Sequence, residues 1–98
     1  MEINTTKDGS LMKIALVGRL DTATAPSLEA EIMGNIEGVT NLKFDFEKLD
    51  YLSSAGLRVL LASQKQMNKQ GSMVIANVNE TIMEVFEVTG FIDILTIE

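Results

Sequence analysis

Apolar and polar residues recur along this chain with two periods, and each change of period marks an element boundary. Glu2 to Lys7 reads as an edge strand, and Asp8-Gly9 is a hairpin turn into a second strand at 11–18. The apolar content of that strand predicts burial on both of its faces. Asp21, Thr22, Thr24 and Pro26 are cap and first-turn residues, so a helix is expected there. Ala25, Leu28, Ile32 and Ile36 follow at helical spacing, and Gly38 ends the segment. Residues 41–46 alternate with period two and predict a third strand. Ser53-Ser54-Ala55-Gly56 opens a second helix with Leu57, Leu60, Leu61 and Met67 inward, and Gly71 closes it. Met73 to Ala76 reads as a short buried strand. Asn79 then caps a third helix carrying Ile82, Val85 and Phe86, which Gly90 terminates. Phe91 to Ile97 can supply one more short edge strand.

The order β-β-α-β-α-β-α-(β) predicts an α/β fold: a mixed four- to five-stranded sheet, mostly parallel because helices link the strands, with one antiparallel edge. Ninety-eight residues support one core, so residues 1–98 are read as a single domain.

Composition narrows the chemistry. The chain has no cysteine and no histidine. That removes disulfides, thiol nucleophiles, Ser-His-Asp and Cys-His triads, and Cys/His zinc sites. Fourteen acids against eight bases give a net charge of −6, and the bases are scattered singly. Nucleic-acid binders need a basic stripe to neutralise phosphates, so that class is not expected. The longest apolar runs fall far short of the ~20 residues of a membrane span. Met1-Glu2-Ile3-Asn4 shows neither the basic nor the apolar region of a signal peptide. A cytoplasmic protein off the membrane is expected.

The most informative stretch runs from Phe44 to Leu61: a strand end, a short loop, and two serines where the next helix begins. The first N–H groups of a helix lack internal partners and carry partial positive charge. A serine there is usually only a cap contributing ~1 kcal/mol. The same position would also tolerate a phosphate, which adds about −1.5 to −2 charge. Gly56 leaves room for a bulky group or a partner's backbone. Local physics permits both readings.

The element order and this loop resemble the STAS domain, the fold of bacterial anti-sigma factor antagonists and of the cytosolic tail of sulfate transporters. The family pattern Asp-Ser-(Ser/Thr)-Gly-Leu, aligned on Gly56-Leu57, puts Ser54 at the phosphorylated serine and Ala55 at the second hydroxyl residue. Ser53 stands where the family often has Asp. Gly18-Arg19-Leu20-Asp21 resembles the family's Gly-x-(Leu/Ile)-Asp, Asp45 matches the usual acid or amide ending the third strand, and Val85 to Phe91 resembles the closing helix and its turn. The resemblance implies a regulatory binding protein without enzymatic activity or cofactor. Its partner would be an anti-sigma factor that is also a serine kinase; phosphorylation of Ser54 would end binding, and a serine phosphatase would restore it. Asp21, Ser53, Ala55, Gly56 and Arg58 would form the surrounding docking loop.

Alternatives remain open on sequence. A constitutive STAS module of a transport or signalling complex would use Ser54 as a cap only. Asp21 is either a plain helix cap or a residue that positions the serine. Asp45 and Asp50, with Asp21, suggest a Mg²⁺ pocket of a phosphotransfer or receiver-type domain, although the lysine and paired acids of a receiver are lacking. Arg58 is either an ordinary exposed residue or a partner contact. Met33, Met67, Met73 and Met83 are read as core filling.

Overall fold

A computed structural model describes all of residues 1–98. Its elements are β1 (Glu2–Asp8), β2 (Leu11–Leu20), α1 (Ala25–Asn35), β3 (Asn41–Leu52), α2 (Ser54–Gln70), β4 (Ser72–Ala76) and α3 (Glu80–Thr89), followed by a short 3₁₀ turn at Phe91–Asp93. The four strands lie in the order β1-β2-β3-β4, with β1 antiparallel to β2 and the other pairs parallel.

This order determines which face is covered. The order of strands across the sheet never doubles back, so both crossovers, β2-α1-β3 and β3-α2-β4, step the same way. Right-handed crossovers then place their helices on the same face. Met12, Ile14, Leu16 and Leu20 of β2 and Leu42, Phe44, Phe46, Leu49 and Leu52 of β3 are buried beneath them in one 23-residue core. On the other face, Leu11 and Lys13 are exposed, and Ala15, Val17, Lys43, Asp45 and Val74 are half-buried. The expectation that β2 is buried on both faces is therefore corrected: it alternates, because no helix is left to cover the second face.

β3 also differs from expectation. It runs on to Leu52, taking in the stretch read as a loop. Between Ala15↔Asp45 and Val17↔Lys48, and again between Gly18↔Leu49 and Arg19↔Tyr51, β3 carries one more residue than β2. Each bulge shifts the side-chain phase. The inward residues therefore go Phe46, Leu49, Leu52 in steps of three, and the period-two signal vanishes while the strand continues.

The remaining segments follow their local chemistry. α1 ends at Asn35, ahead of Gly38, whose φ of +79° lies in the following loop. α2 buries Gly56, Leu57, Val59, Leu60, Ser63, Gln64 and Met67, leaving Leu61 half-buried at the margin. At Gly71 a Cβ would collide with the Thr40 backbone, so only glycine fits there. The expected last strand reduces to a single parallel bridge, Ile97 beside Ile75. No helix is long and apolar enough to cross a membrane.

Candidate functional site

β2 and β3 end side by side. Leu20 pairs with Leu52, and the Ser53 N–H donates to the Leu20 carbonyl at 2.9 Å. α2 starts at the next residue, so the expected loop shrinks to Ser53 alone. Ser53 has extended backbone (φ −95°, ψ 175°), and its carbonyl accepts the Leu57 N–H at 3.0 Å. Its side chain does not cap the helix: the Oγ is buried and has no hydrogen-bond partner.

Ser54 is the first residue of α2 and is exposed. The two adjacent serines thus have opposite environments, because the extended residue turns its side chain inward and the first helical residue turns its side chain outward. Ala55 is half-buried, and Arg58, one turn further, is exposed. Ala55, Arg58 and Val59 line a shallow groove with Thr22, Ala25, Pro26 and Glu29 at the start of α1. Gly56 points the other way. A Cβ there would lie 2.6 Å from Leu52 Cδ1 and 2.7 Å from Leu20 Cγ. Its lack of a side chain admits the two strand ends to the helix, and offers no room to an outside group.

Asp21 follows Leu20 directly and so stands beside this junction. Its Oδ1 accepts the N–H groups of Ala23 at 3.0 Å and Thr24 at 3.1 Å, and the Thr24 hydroxyl at 3.2 Å. The bond from the Thr24 backbone is the main reason its carboxyl sits below the ordinary value of 3.8, with Arg19 contributing at 3.9 Å. The carboxylate holds the turn that leads into α1, whose N-cap residue is Thr24. Arg19 also lies over the Tyr51 ring, its Cζ 4.1 Å from the centroid. Tyr51 is not marked by the sequence pattern, because a strand ending at residue 46 leaves it in a loop; the structure places it on β3 with its ring exposed.

The three aspartates considered for a metal do not gather. Asp45 Oδ1 accepts from the Asn77 side chain and from the Glu47 N–H, both at 3.0 Å, and these bonds lower its carboxyl below 3.8. It braces the first bulge from inside β3, level with Ala76 at the end of β4. Asp50 is exposed on the same strand, and no group of three acids is assembled anywhere in the chain.

Compared with known proteins, the chain matches the model of the STAS domain family over residues 2–98. The chain belongs to that family. BtrV of Bordetella bronchiseptica, a protein named as an anti-sigma factor antagonist, is 35% identical to this STAS domain over 99% of the chain and 85% of the relative. The anti-sigma-B factor antagonist of Bacillus subtilis is 29% identical over 88% of the chain and 80% of its own length. Solved structures share the fold at lower identity. An anti-sigma factor antagonist from Mycobacterium paratuberculosis superposes with a TM-score of 0.88 at 20% identity, covering 98% of this domain and 83% of that chain. The anti-sigma factor antagonist SpoIIAA in its unphosphorylated form gives 0.79 at 21% identity, over 99% and 87%. The phosphorylated form of SpoIIAA, the Bacillus cell fate determinant, gives 0.79 at 22%, over 99% and 91%.

Proposed function

We propose that this STAS domain is an anti-sigma factor antagonist, acting in the cytoplasm as a binding protein and not as a catalyst. Its docking surface is the junction of β2, β3 and the first turns of α2, and phosphorylation of Ser54 turns binding off. The exposure of Ser54 beside the buried Ser53 hydroxyl carries this reading. Of two adjacent serines, only one offers its oxygen to a kinase. The relatives named as anti-sigma factor antagonists, and a family fold solved with and without phosphate, support it.

The partner is an anti-sigma factor with serine kinase activity. In the modifying step the Ser54 Oγ bonds to the γ-phosphorus of ATP and the β–γ bridging P–O bond breaks. ADP leaves, and the hydroxyl proton passes to a base of the kinase. A serine phosphatase hydrolyses the ester and resets the surface. The added charge of about −1.5 to −2 must then be desolvated against a partner shaped for a neutral hydroxyl. Such a mismatch costs several kcal/mol, equivalent to a loss of ~100-fold or more in affinity.

The test uses the anti-sigma-type serine kinase of the same organism, ATP and intact-mass spectrometry. One added phosphate (~80 Da) is expected on the wild type and none on Ser54→Ala. Ser54→Ala should hold the partner whether or not ATP is present. A wild type that stays unmodified, while Ser54→Ala is regulated normally in cells, would show a constitutive STAS module instead.

A further inference from the structure

We propose that Arg58 binds the phosphate on Ser54, so that modification occupies the guanidinium which the unmodified surface presents to a partner. This rests on the reading of Ser54 as the modified residue and adds the means by which this chain holds the modified state.

Ser54 and Arg58 are four residues apart on one helix, and both are exposed. Residues at that spacing share a face, with Cβ atoms about 5–6 Å apart. Helical side chains lean toward the N-terminus, so the long Arg58 side chain, which lines the groove beside Ala55, is within reach of the first turn, where Ser54 lies. The order is the favourable one, an acid preceding a base by four residues. Guanidinium also matches a phosphate with two parallel hydrogen bonds, which an ammonium cannot do.

Arg58 is also uncommitted. The chain's two ion pairs are Arg19–Asp21 and Lys43–Glu98, and neither involves it. α2 contains no Asp or Glu, so no residue of its own helix competes. Glu29 of α1 lines the same groove without pairing with it. The other charges around the junction are Asp21, Asp50 and Arg19. The carboxylates repel a phosphate, and Arg19 already lies over Tyr51 and beside Asp21. Arg58 is left as the cation a phosphate at this place would draw in. In the unmodified protein it is free to meet a carboxylate of the partner. Once phosphorylated, the surface has gained an anion and lost its free cation in one event.

The experiment uses full-length protein carrying phosphoserine at position 54, encoded during translation, and follows its ³¹P resonance against pH. A phosphoserine ordinarily loses its second proton near pH 6. The wild type is expected to titrate ~0.3–0.7 pH units below Arg58→Gln, with Arg58→Lys between them. The gap should shrink as salt rises from ~0.05 to ~0.5 M. The Arg58 Nε resonance should move through the same titration. Unmodified Arg58→Gln should melt within ~2 °C of wild type, which separates pairing from folding. Titration curves that coincide within ~0.1 unit, or an Arg58 resonance blind to the phosphate, would overturn the proposal. Because the phosphoserine is encoded, a kinase that never modifies Ser54 sinks the switch and leaves this pair standing, whereas coinciding curves do the reverse.

Discussion

Gly56 packs where Leu20 and Leu52 already fill the space. Two effects compete in Gly56→Ala. Alanine is the better helix former by ~1 kcal/mol, but the new methyl enters a filled core, which costs ~1–3 kcal/mol. Leu52 Cδ1 is a side-chain tip that can move; Leu20 Cγ is a branch point of a fully buried residue and cannot. The clash should win, lowering the melting temperature by ~4–10 °C. Calorimetry that found Gly56→Ala at or above wild type would show the strand ends to be looser than described. Asp45 supplies a second residue-scale prediction. Its carboxyl is held below 3.8 by the bonds from Asn77 and Glu47, so the folded protein keeps it ionised where the unfolded chain takes up a proton. That contribution is complete above the unfolded value and disappears as pH falls through the lower, folded one. Urea unfolding should show Asp45→Asn less stable than wild type at neutral pH. The gap should close as pH falls below 3.8; a gap that stays constant would mean the carboxylate's charge is not involved.

The starts of α2 and α3 behave differently although both carry cap-type residues. Asn79 accepts the Ile82 N–H at 2.8 Å and donates to the Leu49 carbonyl at 3.0 Å, so one side chain caps α3 and ties it to β3. Asn79→Ala should cost ~1–2 kcal/mol. Ser53→Ala should cost ~0.5 kcal/mol or less, because it removes a buried hydroxyl that has no partner. Paired thermal melts test this, and equal losses would count against it. Three helices and four strands were legible from apolar spacing, because each helix presents one continuous face to the core. β3 was legible only to residue 46: its two bulges are made by backbone register against β2, and nothing in Glu47 or Asp50 announces an extra residue. Nor does the apolar content of β2 report how many helices exist to cover it. Which serine faces outward depended on the first residue of α2, and helix ends are the least sharply encoded part of a helix.

Across the molecule, charge is divided by region. Residues 70–98 hold five acids and no base, whereas α2 holds Arg58, Lys65 and Lys69 and no acid. A phosphate on Ser54 therefore arrives on the one helix whose charges are all positive. The net charge of −6 gave no hint of this, since it averages over both regions. The family resemblance could single out Ser54 but not Arg58 as its counterpart, because that pairing follows from the spacing and charge of this particular helix. The Ser53 N–H is bonded to Leu20, and Gly56 is wedged against both strand ends, so the start of α2 is anchored to the sheet on two sides. Ser53 alone separates β3 from Ser54. On the proposed reading, a protein that recognises this serine would need no rearrangement of the backbone that holds it: encounter would be limited by diffusion and orientation, and the message would be written in the shape and charge of the surface itself.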